Sequence, residues 1–146
     1  MQNKKLNNLE ILNKIYENAQ MGSNSITYVS EKTDDTELLK ELQNELTQYN
    51  EVSSEASQKI LELNEIPKES GPMAQVGLWS SVQMNTLMDK STSHIAEMMM
   101  QGNAMGVIDM AKTIKNAENK SADAEQLAQK LIETEENNFQ NMKQFL

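Results

Sequence analysis

Cysteine is absent from this 146-residue chain, histidine and tryptophan occur once each, proline twice and glycine five times, and aromatic side chains make up only 4%. Without a thiol there is no disulfide, no thiolate metal site and no cysteine nucleophile. One imidazole excludes a histidine-rich metal cage, and so little proline and glycine excludes collagen-like and low-complexity chains. Basic residues are also sparse. With 13 Lys plus Arg against 22 Asp plus Glu, the formal charge is −9, so the surface repels phosphate backbones, and no basic stripe or base-stacking set of aromatics offsets that. Nucleic acid is not an expected partner. Long hydrophobic runs are missing: no apolar stretch approaches the ~20 residues of a bilayer span. The opening Met-Gln-Asn-Lys-Lys also lacks the apolar core of a secretory signal, so the expectation is a cytoplasmic protein with no membrane span. The chain shows no glycine-rich phosphate loop, G-x-S-x-G elbow or usable Ser/His/Asp order, hence no recognisable enzyme machinery.

What is present is a helical period. Apolar residues recur every three or four positions almost throughout, without the sustained alternation of strands, so the chain reads as one all-α domain over 1–146. Helices are expected at about 6–30, 36–64, 73–88, 92–116 and 121–145. The first carries Leu9, Leu12, Ile15, Tyr16, Ala19, Ser23 and Ile26 on one stripe; the second carries Leu38, Leu42, Tyr49, Val52, Ala56, Ile60 and Leu63; the last carries Ala124, Leu127, Ala128, Leu131, Ile132, Phe139, Met142 and Phe145. Asp34, Asp35 or Thr36 suits the N-cap of the second, Ser91, Thr92 or Ser93 that of the fourth, and Ser121 that of the fifth. Pro67, Gly71 and Pro72 close the second helix.

As one helix, 73–116 would be ~65 Å long at 1.5 Å per residue, far longer than its neighbours. The polar run Asp89-Lys90-Ser91-Thr92-Ser93 breaks it. A helix of ~24 Å over 73–88 is too short to be an equal bundle member. It instead serves as a return, giving an up-down-down-up four-helix bundle with a short crossover helix between the second and third bundle helices, the ferritin-like arrangement. The helix at 92–116 shows two apolar seams: Ala96, Met100, Ala104, Val107, Ala111 and Ile114 on one side, and Ile95, Met98, Met99 and Met105 on the other. Such a helix is expected to be covered on both sides, by the bundle and by the crossover or a second subunit. Gly102 and Gly106 provide a small-xxx-small spacing for close packing.

Two charges interrupt the apolar stripes. Glu45 falls among Leu38, Leu42, Tyr49 and Val52, and Glu135 among Ala128, Leu131, Phe139 and Met142. Counted from the helix ends, both lie ~17–19 Å down the bundle, in a layer shared with Gln20 or Ser23 and with Asn103. Carboxylates facing a core either bind metal or are buried and hydrogen-bonded, here to Gln20, Ser23, Tyr16 or Tyr49, with raised pKa. Ferritin-like carboxylate proteins place E-x-x-H pairs on two helices, whereas Glu45-Leu46-Thr47-Gln48 and Glu135-Glu136-Asn137-Asn138 carry amides at the histidine positions. His94-Ile95-Ala96-Glu97 has the right separation in reverse order. Glu45, Glu135, His94 and Glu97 are therefore the candidate metal ligands, for Mn, Mg, Ca or Fe, although no cofactor is expected in the first reading.

Eight of the eleven methionines lie between Met73 and Met110. Thioethers suit adaptable apolar surfaces, and Trp79, Met84, Met88, Met98, Met99 and Met105 are the candidate partner-binding set. The block from Leu87 to Gly102, with Ser91-Thr92-Ser93-His94-Ile95-Ala96-Glu97-Met98-Met99-Met100 at its centre, resembles small bacterial ferritin-like four-helix-bundle proteins of unassigned function. That resemblance implies the fold but supplies no activity. The expected function is that of a non-catalytic bundle acting through self-association, as a homodimer, or through an unknown protein partner on the Met-rich face. The alternative is a metal-binding bundle with a degenerate di-metal carboxylate site.

Overall fold

The computed structural model describes residues 7–68, 88–118 and 120–146. Among them it contains four α-helices: α1 (Asn8–Ser30), α2 (Thr36–Glu62), α3 (Thr92–Lys115) and α4 (Ala122–Met142), with a single 3-10 turn, Lys143–Phe145, extending the last. The helix expected at 73–88, with Trp79 and Met84 in it, falls almost wholly outside the described residues, and Met88, its last position, is not helical.

Each helix begins where a short polar side chain can satisfy the free N–H groups of the first turn. Asn7 accepts from the Glu10 N–H, Asp35 from Glu37 and Leu38, Ser91 from His94, and Ser121 from Ala124. α2 ends by a left-handed residue. Asn64 has φ 60°, its N–H donates to the Leu61 carbonyl, and the Glu65 N–H donates to the Ile60 carbonyl, the paired closure of a Schellman turn. This ending explains why Leu63, expected on the core stripe, is instead 48% exposed.

Packing is densest within two hairpins, α1 with α2 and α3 with α4, and the hairpins face one another across a shared core. Leu12, Ile15, Ala19 and Ile26 of α1, Leu38, Leu42, Val52, Ala56 and Ile60 of α2, and Leu127, Ala128, Leu131 and Met142 of α4 fill that core. Contacts at the helix starts fix relative direction. The Thr92 hydroxyl donates to Asp35 at 2.8 Å, so α2 and α3 start at the same end. The Ser121 N–H donates to Asn8 at 2.7 Å, so α1 and α4 start together at the other.

In the first turns of α3 both expected seams are covered, Ala96 and Met100 on one and Ile95, Met98 and Met99 on the other. Beyond them the buried line narrows to Asn103, Gly106, Met110 and Thr113, running between the two seams at 100° per residue. Val107 is consequently half-buried, and Ile108 and Ala111 are exposed. The bundle selects this line because Asn103 and Gly106 meet polar and bulky groups of α2 and α4.

Candidate functional site

A layer of polar side chains crosses the middle of this core. α2 contributes Glu45 and, one turn further along the same stripe, Tyr49; α3 contributes Asn103; α4 contributes Glu135 and, one turn on, Asn138. All five are buried. Tyr49 is the hub: its hydroxyl oxygen lies 2.5 Å from Glu135 Oε2 and 3.0 Å from Asn103 Oδ1, so one α2 side chain is tied to both helices of the opposite hairpin.

Two glycines make room for it. A Cβ on Gly22 of α1 would stand 2.8 Å from three atoms of the Tyr49 ring, and one on Gly106 of α3 would stand 2.6 Å from Glu135 Oε1. Both distances are below ordinary van der Waals contact, so any side chain at either position forces the layer apart. Gly106 thus serves close packing within the molecule. A cavity of about 40 Å³ borders the layer between α1 and α3, lined by Met21 and Gly22 on one side and Met98, Met99 and Asn103 on the other, with Tyr49 and Glu135.

Burial dominates the electrostatics. It pushes the Glu45 carboxyl up to about 9, with further upward contributions from Glu41, one turn away, and from Glu135 across the core. Burial likewise raises Glu135 to about 8, even though the Tyr49 hydroxyl pulls it down. The Tyr49 phenol rises well above its ordinary value, through burial first and then the neighbouring Glu135. Lysines pair with acids at the surface, Lys59 with Asp123, Lys120 with Glu125 and Lys130 with Glu55. Several polar atoms of the layer have no well-aligned hydrogen bond among the described residues, both Glu45 oxygens, Asn103 Nδ2, and Asn138 Oδ1 and Nδ2, although Glu41 approaches Glu45, and Asn138 the Tyr49 hydroxyl, closely enough to act on their titration.

Of the four candidate metal ligands, the fold brings together Glu45 and Glu135. His94 is half-buried in the first turn of α3, where its N–H is capped by Ser91, and Glu97 is exposed one turn on. No three His, Cys, Asp or Glu side chains among the described residues converge on a point that could hold a metal. The donor chemistry also disagrees with a di-iron centre: no imidazole reaches the layer, whose only side-chain nitrogens are the amides of Asn103 and Asn138. A hard cation such as Ca²⁺ takes six or more oxygens, and of the two amide oxygens here the one on Asn103 already faces the Tyr49 hydroxyl.

Of the candidate partner-binding set, Met98 and Met99 are 5% and 7% exposed and line the cavity wall. Met105 is half-buried, Met88 is 92% exposed, and Trp79 and Met84 lie outside the described residues. Depth along the helix is enough to place Asn103 in the layer, and the sequence offers Tyr49 as one of several bonding partners. Gly22 has no such signal, because nothing in the period of α1 marks which aromatic of α2 will cross it. No helix among the described residues is long and apolar enough to cross a membrane. No family model, no curated protein and no solved structure matches this chain.

Proposed function

We propose that the chain is a ferritin-like helical bundle without catalytic chemistry, which acts by associating with a second copy of itself through the outer flank of α3. The ferritin-like reading is supported by the helix starts. α2 and α3 begin at the same end, and α2 is 27 residues long, so the chain between them connects opposite ends of the bundle over ~40 Å. One long connection of this kind, between the second and third bundle helices, is the ferritin-like arrangement.

The observation that carries the functional reading is the rotation of α3. By turning the line Asn103, Gly106 and Met110 inward, the bundle leaves Val107 half-buried and Ile108 and Ala111 exposed on the outer side, with Ile108 at 54%. Met98 and Met99 act in this reading as interior packing behind that flank, and the self-association surface shifts from them to Val107, Ile108 and Ala111. Burying these side chains against a second α3 would remove apolar surface from water at about 25 cal/mol per Å².

Sedimentation equilibrium of the full chain tests the reading, beside Ile108→Lys and Ala111→Glu variants with their helicity checked by circular dichroism. A dimer that the variants convert to a folded monomer is the expected result. A wild-type protein that is monomeric at every concentration overturns self-association.

A further inference from the structure

We propose that the polar layer is locked by a proton instead of a metal ion: Glu135 keeps its proton in the folded protein at neutral pH and donates it to the Tyr49 phenol oxygen. The Tyr49 hydroxyl is then free to donate to Asn103 Oδ1. The result is a one-way hydrogen-bond chain from α4 through α2 to α3, joining the two hairpins at the depth where carboxylate-bridged bundles use metal.

The hydrogens around Tyr49 fix the direction of the chain. Tyr49 Oη is within bonding distance of two oxygens, Glu135 Oε2 at 2.5 Å and Asn103 Oδ1 at 3.0 Å, and a phenol carries one proton. With the Asn103 amide oxygen turned to the phenol, as it is here, an ionised Glu135 makes both neighbours acceptors and leaves one of the two close contacts without a hydrogen. If Glu135 is protonated, each contact has one. The surroundings favour the same state. Glu135 is 4% exposed. The groups around it are Tyr49 from α2, itself packed on Gly22 of α1, and Asn103 and Gly106 from α3. The charged neighbours of the layer are themselves acids, Glu45 and, beyond it, Glu41, so among the described residues no cation offsets a carboxylate here. An unpaired buried carboxylate is far costlier than the neutral acid, which is why such groups keep their protons. The upward displacement of both carboxyls agrees with this count.

The proton lock differs from a metal lock in what it asks of the sequence. It needs a hydroxyl that accepts and donates at once, an amide oxygen to end the chain, and glycine beside the acid so that the carboxyl can reach the phenol. Tyr49, Asn103 and Gly106 meet these needs, whereas two metal ions would need ligands that the layer lacks.

Carbon-13 NMR of the glutamate side-chain carboxyls in the full-length protein tests the proposal, with Glu135 assigned by its loss in E135Q. Should E135Q not fold, the signal displaced in Tyr49→Phe serves for assignment. The expected result is a Glu135 signal at the protonated-acid position from pH 5 to 7 that moves only in the alkaline range, unaltered by excess Mg²⁺ or Ca²⁺, with Tyr49→Phe changing its midpoint. A signal at the carboxylate position at pH 7 overturns the proposal, since it means an ionised Glu135 accepting from Tyr49 beside a turned Asn103 amide. A signal that converts to carboxylate on adding stoichiometric Mg²⁺ or Ca²⁺ at pH 7 also overturns it, in favour of a metal lock.

Discussion

A protein that buries two protonated acids should become less stable as the solution becomes more alkaline, in a range where most proteins are indifferent. In the unfolded chain Glu45 and Glu135 return to the ordinary glutamate value of 4.5, whereas folded they titrate at about 9 and about 8. Between those limits the folded state holds protons that the unfolded state has released. Because the unfolded state binds fewer protons, stability falls with rising pH, by up to ~1.4 kcal/mol per pH unit for each group. Their contribution is fully favourable below about pH 4.5 and is progressively lost up to the folded values. From pH 5 to 7 the pair removes at most ~5 kcal/mol, a large part of a domain's usual 5–15 kcal/mol. Urea unfolding followed by circular dichroism at pH 5, 6, 7 and 8 measures the slope. Glu45→Gln and Glu135→Gln have no proton to lose there, so each should flatten it, and subtracting their curves from the wild type removes the background from the remaining charges. Parallel curves for wild type and both variants, or stability that rises from pH 5 to 8, would refute the reasoning.

Other outcomes follow from the same layer. Gly22→Ala gains ~1 kcal/mol of helix propensity but drives a Cβ to 2.8 Å from the Tyr49 ring. With ~1–3 kcal/mol of overpacking, the net effect in thermal melts is destabilisation of up to ~2 kcal/mol, and a stabilised variant would show that the ring yields freely. Glu45→Met replaces two buried oxygens that have no well-aligned hydrogen bond with an apolar chain of similar length. It should stabilise the fold at pH 7 by ~1–3 kcal/mol, and a lower melting temperature would show that the carboxyl has a stabilising partner. Elemental mass spectrometry on untagged protein, beside a Glu45→Ala, Glu135→Ala double variant, should find no stoichiometric metal in either; metal present in the wild type and lost in the variant would restore the metal reading.

Much of the architecture is legible in the sequence because it depends on single helices. The stripe Leu38, Leu42, Tyr49, Val52, Ala56, Ile60 is continuous in the chain and buried in the fold, and Asp35, Ser91 and Ser121 cap the helices they precede. Glu45 and Glu135 are visible for the same reason: a charge inside an apolar stripe is an anomaly on the helical projection. What escapes depends on pairs of helices. Depth along α3 places Asn103 in the layer, but the inward turn of Gly106 and Thr113 beside it carries no hydrophobic signal and depends on what α2 and α4 set opposite them. Gly22 is meaningful only once Tyr49 is known to cross it. The ending of α2 turned on Asn64 adopting φ 60°, which asparagine tolerates but does not enforce.

The central claim is that the Tyr49 and Glu135 side chains act as one unit that fastens the two hairpins together. A double-mutant cycle with Tyr49→Phe, Glu135→Leu and the combined variant, followed by urea unfolding at pH 6, measures it most directly, since leucine, unlike glutamine, cannot donate to the phenol oxygen. The account predicts strong non-additivity, a coupling of ~1–3 kcal/mol, because either substitution alone already breaks the hydrogen-bond chain. Single effects that add to within ~0.5 kcal/mol would contradict it and leave the two side chains as independent tenants of the core.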